Sequence, residues 1–233
     1  MQNNIAIIPA RIGSKRIKKK NIKLFNSRPI IEWTFKILKS SKLFNKIILT
    51  SDNTGILNLG KKLGFDILIK RPKYLADNFT GTEEVIKHSI DIIEQKQKIN
   101  NVCCVYPCNP FIQIKDLKTA INKLKKKKNF YIFPVTNYSH PIERAYFLKN
   151  KNEIKYLNSS FADTRTQDLI EKFYDTGQFY FASRNTWLNL KNAKKFGIKI
   201  PNWRVIDIDN QSDWEKAELM YKFFKRYKVL KLI

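Results

Sequence analysis

The chain has 233 residues, of which 43% are hydrophobic and 13% aromatic, enough to fill the core of one large α/β domain. That composition excludes a largely disordered chain, and no apolar run approaches the roughly 20 residues that cross a bilayer. Lys and Arg total 45 against 20 Asp and Glu, a formal charge of +25. The lysines are spread along the chain, so they read as solvated surface rather than as a dedicated nucleic-acid platform.

In chain order, Ile5–Ile8 reads as a strand, Ile30–Leu38 as a helix, Ile47–Thr50 as a strand, Ile56–Leu63 as a helix and Phe65–Ile69 as a short strand. A helix over about Thr82–Gln95, a strand Val102–Tyr106, a helix over about Ile114–Lys125 and a strand Tyr131–Val135 continue the alternation. The basic run Lys125–Lys128 closes that last helix, where cations favour the dipole. Between about Tyr138 and Asp175 the rhythm breaks, and Ala145–Leu148 and Ile154–Leu157 flank a polar Lys149-Asn-Lys-Asn turn that predicts a hairpin. Gly177–Ala182 and Trp203–Ile208 read as strands. A closing helix over about Ser212–Tyr227 carries Ser212 and Glu215 at capping-box spacing. The expected architecture is a single Rossmann-like α/β domain over 1–233, a mostly parallel sheet flanked by helices, with 138–175 as an excursion within it.

Such sheets bind ligands outside the carboxyl ends of their strands. The first strand empties there into Pro9-Ala-Arg-Ile-Gly-Ser-Lys-Arg16 and on to Lys20-Asn21, a loop whose N–H groups and fixed cations suit a polyphosphate. Gly13 has no earlier glycine and no Gly-Lys-Ser/Thr, so the Walker pattern fails; one glycine also fails the dinucleotide fingerprint. Asp207-Ile-Asp209 ends a strand whose period-two spacing puts both carboxylates on one face, suited to a hard cation or to capping the helix that follows. Cys103, Cys104 and Cys108 read as buried reduced thiols, because His88 and His140 are isolated and no second ligand pair exists. Reduced thiols suit the cytoplasm, and the Met1-Gln-Asn-Asn start has no apolar leader pattern, so secretion is not expected.

The segment Ile8-Pro-Ala-Arg11, Gly13-Ser-Lys15 and Lys20-Asn21 resembles the opening signature of the cytidylyltransferases that activate nine-carbon sugar acids. Ile12 departs from it, standing where glycine is commoner. The resemblance spans Ile5 to about Tyr221 and implies a fold of the nucleotide-diphospho-sugar transferase type. It implies transfer of CMP from CTP to the anomeric hydroxyl of the sugar acid, with pyrophosphate leaving and Mg²⁺ as cofactor. Arg11 and Lys20 then match triphosphate-contacting positions, and Ala10, Gly13, Ser14, Lys15 and Asn21 nucleotide-contacting ones. Arg71-Pro72 matches a phosphate-supporting arginine. Thr82, with Asp77 and Thr80, lies in a nucleotide-contacting stretch, although helix capping explains a threonine equally well. Asp207 and Asp209 match the magnesium-holding Asp-x-Asp, with Asp209 also counted among the catalytic residues.

Arg165 is placed beside the substrate by the resemblance, and a guanidinium suits the sugar carboxylate. Tyr106, His140 and Gln178 fall in segments that look most like the pseudaminic acid branch, with sialic or legionaminic acid as alternative acceptors. A basic nucleic-acid-binding protein is the remote alternative. The family commonly dimerises through the excursion, so a homodimer is expected, with no specific nucleic acid and no membrane insertion.

Overall fold

The computed structural model of the chain describes residues 3–77, 79–127 and 129–232, without the side chain of Lys151. Met1 and Gln2 of the opening and Lys128 of the basic run lie outside the described residues.

Strand β1 (Asn4–Pro9) is flanked in parallel by β4 (Lys46–Ser51) and β6 (Asn101–Val105), and β5 (Ile67–Lys70) extends the sheet beyond β4. Between β1 and β4 lie a two-residue hairpin, β2 (Leu24–Phe25) with β3 (Arg28–Pro29), and helix α1 (Ile30–Ser41). Helices α2 (Thr54–Leu63) and α3 (Thr82–Glu94) are the crossovers on either side of β5, and α4 (Ile114–Lys126) links β6 to β7 (Phe130–Asn137). Near-continuous apolar runs such as Ile5-Ala-Ile-Ile8 become strands buried on both faces because helices cover both sides. Ile8 and Leu49 pack on one side, against α1 and α4, whereas Ile7 and Ile48 pack on the other, against α3.

The second half of the sheet adds two antiparallel strands. β10 (Phe173–Asp175) and β11 (Phe179–Ser183) both pair with β7, and β11 also pairs with β6. Between them the chain bulges through Gly177, whose φ of 61° is one that side chains rarely adopt. The hairpin in the excursion forms as expected, β8 (Tyr146–Leu148) against β9 (Ile154–Tyr156). After the short helix α5 (Arg184–Leu188), β12 (Lys194–Lys199) runs parallel to β7 at the sheet edge, a strand absent from the sequence reading.

Two expectations are corrected. Trp203–Ile208 is not a strand: a 3-10 turn at Asn202–Arg204 leads into an extended segment with no ladder partner. Its period-two pattern is nonetheless real, with Arg204, Ile206 and Ile208 buried, Val205 less so and Asp207 exposed. The closing helix α6 (Gln211–Arg226) is capped not by Ser212 and Glu215 but by Asn210 and Asp213. Asn210 Oδ1 accepts the Asp213 N–H, and the Asp213 carboxylate accepts the Asn210 N–H. The helix starts before Ser212, which removes that serine from the capping position.

Candidate active site

A cavity of about 520 Å³ opens along the carboxyl edge of the sheet. It is lined by Arg11, Ser14, Lys15, Lys20 and Asn21 of the loop after β1, by Arg71 after β5, by Thr82 of α3, by Tyr106 after β6, and by Asp207 and Asp209. Ala10 and Gly13 do not reach the lining. Ala10 is buried and its N–H bonds the carbonyl of Thr50 at 2.9 Å, anchoring the loop to β4.

The substitution of Ile12 for glycine is accommodated because the loop takes its left-handed residue further on. Among the described residues from 10 to 20 only Lys19 has positive φ, at 53°. Ser14 N–H turns back to Ile12 O at 2.8 Å, and Asp52 Oδ1 accepts the Ile12 N–H at 3.2 Å. Asn21, itself buried, donates from Nδ2 to Arg11 O at 2.7 Å and accepts from Cys108 Sγ at 3.2 Å. These bonds fix where the loop's cations stand. Arg11 Nη1 donates to Asp77 O at 2.5 Å.

Lys20 joins the two ends of the chain. Its Nζ donates to Ile208 O at 2.6 Å and lies 3.6 Å from Asp209 Oδ1, while Arg16 Nη2 pairs with the same oxygen at 2.8 Å. Asp207 and Asp209 share the outward face of the extended segment, and neither caps α6, whose N-cap is Asn210. Partial desolvation against the cavity wall, then the charge of Asp209, pushes the Asp207 carboxyl above the usual carboxylate range, although Lys20 opposes this.

Arg71 is buried, and that burial pulls its guanidinium below the ordinary arginine range, with Asp52 opposing the shift and Arg11 adding to it. Its Nε has no protein partner among the described residues. Asp77 accepts N–H groups from Phe79 and Thr80 at 3.0 and 2.7 Å, and those bonds hold its carboxyl below the usual range. Thr82 is not a cap: the N-cap of α3 is Gly81, and Thr82 Oγ1 lies 2.8 Å from Tyr106 Oη.

The predicted sugar-side residues are not gathered in the same way. His140 is exposed in the loop after β7 and Arg165 pairs with Asp168 at 2.7 Å; neither lines the cavity. Gln178 is buried, its carbonyl accepting the Tyr106 N–H at 3.0 Å while its Oε1 has no partner among the described residues. Sequence reasoning missed Asn109, whose Nδ2 ties Tyr106 O to Gly177 O at 3.3 and 3.1 Å, and the uncharged lining residues Leu75 and Val85. An asparagine in the loop that follows β6 was the available signal for the first. Among the described residues no cluster of three or more His, Cys, Asp or Glu forms a ready metal site. The three cysteines are buried and free, as expected.

A mostly parallel sheet whose carboxyl edge gathers arginines, lysines and paired carboxylates in one cavity defines an α/β protein that handles polyanionic nucleotides. The chain belongs to the cytidylyltransferase family, whose profile matches residues 5–222. It is 32% identical over 223 residues to the pseudaminic acid cytidylyltransferase of Campylobacter jejuni subsp. jejuni (serotype O:2), covering 94% of this chain and 96% of that one. It is 35% identical to a Helicobacter pylori protein that is both pseudaminic acid cytidylyltransferase and UDP-2,4-diacetamido-2,4,6-trideoxy-beta-L-altropyranose hydrolase, covering 98% of this chain and 44% of that one. Among solved structures, a CMP:2-keto-3-deoxy-manno-octonic acid synthetase complexed with CTP superposes with a TM-score of 0.72 at 12% identity. That superposition covers 95% of this chain and 99% of the other, and it shows a shared fold.

Proposed function

We propose that this protein is a CTP-dependent nucleotidyltransferase that moves CMP from CTP to the anomeric hydroxyl of a nine-carbon sugar acid, most closely pseudaminic acid. The observation that carries the reading is the meeting, through Lys20, of the amino-terminal cations with Asp207 and Asp209 across 188 positions of sequence. Full-length similarity to the Campylobacter enzyme supports the acceptor class.

In the reaction the anomeric oxygen attacks the α-phosphorus, the bond to the bridging oxygen breaks, pyrophosphate leaves and the hydroxyl proton passes to solvent. Charge grows on phosphate oxygens, so fixed cations contribute most when they are already in place. Arg11, Lys15, Arg16 and Lys20 neutralise the triphosphate, and Asn21 holds the loop through Arg11 O. Arg71, buried with an unpartnered Nε, gains an acceptor when a phosphate arrives.

Asp207 and Asp209 fit Mg²⁺. Two hard carboxylates on one face leave its other ligand positions to phosphate oxygens and water, the usual way this ion is held. The Asp207 carboxyl is raised first by desolvation and then by the charge of Asp209, and a divalent cation offsets both. When bound, the ion supplies neutralisation of phosphate charge. For the sugar, Arg165 is our candidate for the carboxylate, exchanging Asp168 for a ligand carboxylate in a similar two-point pairing. His140 is our further candidate on the sugar side.

The exposed apolar hairpin, with Phe147, Leu148 and Ile154 each more than half exposed, supports a homodimer formed through the 138–175 excursion. Among the described residues no helix is long and apolar enough to cross a membrane, and the buried reduced cysteines support a cytoplasmic site. Purified protein incubated with CTP, Mg²⁺ and pseudaminic, legionaminic or sialic acid is expected to release pyrophosphate fastest with pseudaminic acid. No release with any nine-carbon acid overturns the reading.

A further inference from the structure

At the β6 end of the cavity one side chain is held with its hydrogens committed and its oxygen free. Asn109 lines the cavity, and its Nδ2 donates to Tyr106 O at 3.3 Å and to Gly177 O at 3.1 Å. Its backbone is fixed as well. The Asn109 N–H bonds Thr34 Oγ1 at 3.4 Å, while the buried Thr34 hydroxyl donates to Pro107 O at 2.8 Å. Gly177, the other side of this corner, is pinned at both its polar groups: Asp175 Oδ1 accepts its N–H at 2.9 Å, and its carbonyl accepts from Asn109. Its remaining face is open, since a Cβ built there meets nothing within 4 Å.

The orientation of the Asn109 amide follows from its partners. A carbonyl oxygen only accepts, and a primary amide carries both of its hydrogens on nitrogen, so two carbonyls require the nitrogen side of the amide. The flipped amide would set an oxygen against two oxygens and leave both hydrogens without those acceptors. With its hydrogens committed, what Asn109 has left to offer is Oδ1. That oxygen has no partner among the described residues and is not sealed from solvent, so its lone pairs open on the cavity that the residue lines.

This corner stands where the acceptor has to come from. In the strand order β7-β11-β6-β1-β4-β5, the cations of the opening loop follow β1 and Arg71 follows β5, whereas Asn109 follows β6 and Gly177 precedes β11, on the other side of β1. Displacement at phosphorus sets the attacking and leaving oxygens roughly in line, with the phosphorus between them. With pyrophosphate leaving toward Arg11 and Arg71, the attacking hydroxyl approaches from the β6 side.

We propose that Asn109 is a specificity-determining residue for the acceptor: its Oδ1 accepts a hydrogen bond from a hydroxyl or an acylamino N–H of the sugar acid, whose body lies over the open face of Gly177. This rests on the nucleotidyltransferase reading given above, and it puts a substrate contact inside the cavity, where His140 and Arg165 do not reach. The side chain is already held in one rotamer, so little further ordering accompanies binding. A sugar with no donor at that point leaves Oδ1 unpaired, the usual basis of strong discrimination between close analogues.

Pyrophosphate release measured against each substrate in turn gives separate KM values for CTP and for the sugar, and calorimetry with Mg²⁺ and no sugar gives the CTP dissociation constant. Asn109→Leu, close in size and without polar side-chain atoms, should raise the sugar KM by about tenfold or more while both CTP values stay within about twofold of wild type. Asn109→Ser keeps a small polar side chain that stops short of the Oδ1 position. It should move the sugar KM in the same sense, and it carries the test if the leucine variant does not fold. A role confined to tying Tyr106 O to Gly177 O would instead loosen the cavity for both substrates. An equal rise in both KM values, a rise in the CTP values alone, or a sugar KM within about twofold of wild type in a folded variant would overturn this inference and leave the nucleotidyltransferase reading standing. Wild-type protein that releases no pyrophosphate with any nine-carbon acid would overturn that reading, and this inference with it.

Discussion

Arg204→Met tests how the carboxylate pair is held. Arg204 Nη1 bonds Asp116 Oδ2 at 2.5 Å, and the two side chains are only 2% and 8% exposed. Asp116 sits in the first turn of α4, where a carboxylate also meets the positive end of the helix dipole. The ion pair fastens the unpaired extended segment, and with it Asp207 and Asp209, to a helix that packs on the sheet. Removing one partner of a buried pair typically costs about 3–5 kcal/mol, because the other charge is left desolvated. For a chain of this size about 2–4 °C of melting temperature goes with each kcal/mol, so the expected fall is about 6–20 °C in a calorimetric or circular dichroism melt at pH 7. The companion variant Arg204→Met/Asp116→Leu, which removes both charges, should recover most of that loss while keeping the segment less firmly placed. The Mg²⁺ concentration for half-maximal turnover should then rise in the double variant even where the fold is restored. A single variant melting within about 2 °C of wild type, or a double variant no better than the single, would refute the claim that this pair supports the segment.

Lys20→Ala removes a cation from the phosphate loop and a bond to Ile208 O, and turnover is expected to fall by about 10²-fold or more in pyrophosphate release. Lys20→Arg, which keeps the charge, should retain more of the rate. Asp209→Asn is expected to leave the melting temperature near wild type, because the carboxylate is a third exposed and its ion pairs are partly screened, while weakening the response to added Mg²⁺. An ordinary metal titration in a folded variant would count against the pair as the metal's ligands. Burial pushes the Cys108 thiol up to about 12, with Lys20 opposing and Asp207 adding to the shift. At pH 8 its thiolate fraction is then about 10³-fold below that of a free cysteine, so iodoacetamide should label it only after denaturation. Rapid labelling of native protein would contradict that burial.

Most of the sheet was legible because its inner strands are unbroken apolar runs and its helices keep one apolar face. β12 was not, because Lys194-Lys-Phe-Gly-Ile-Lys199 is an edge strand with mostly exposed side chains, and only Ile198 is buried. The reverse error at Trp203–Ile208 has a related cause. Alternation reports an extended backbone with one buried face, and whether a neighbouring strand exists to complete a ladder is decided elsewhere in the chain. The cavity's charged lining was readable from motif positions after β1 and β5 and at Asp207 and Asp209. Its uncharged wall and the Thr82–Tyr106 hydroxyl pair were not, since such contacts exist only once distant residues are brought together.

The same edge also holds polar groups that the fold leaves unsatisfied. Arg71 Nε, Thr50 Oγ1 and Gln178 Oε1 are buried without protein partners among the described residues, and each belongs to a strand end or bulge at the carboxyl side of the sheet. Orphaned buried groups of this kind each cost on the order of 1–3 kcal/mol, so a sequence retains them where something supplies the missing partner. Arg71 is the informative one, because it lines the cavity and a buried guanidinium flanked by Arg11 is set against both desolvation and like charge. An anion relieves both at once, whereas a neutral ligand relieves neither. Protein stability lost at Arg71 in the empty cavity is therefore regained on binding a phosphate, and that difference favours the charged end of a nucleotide over the rest of it.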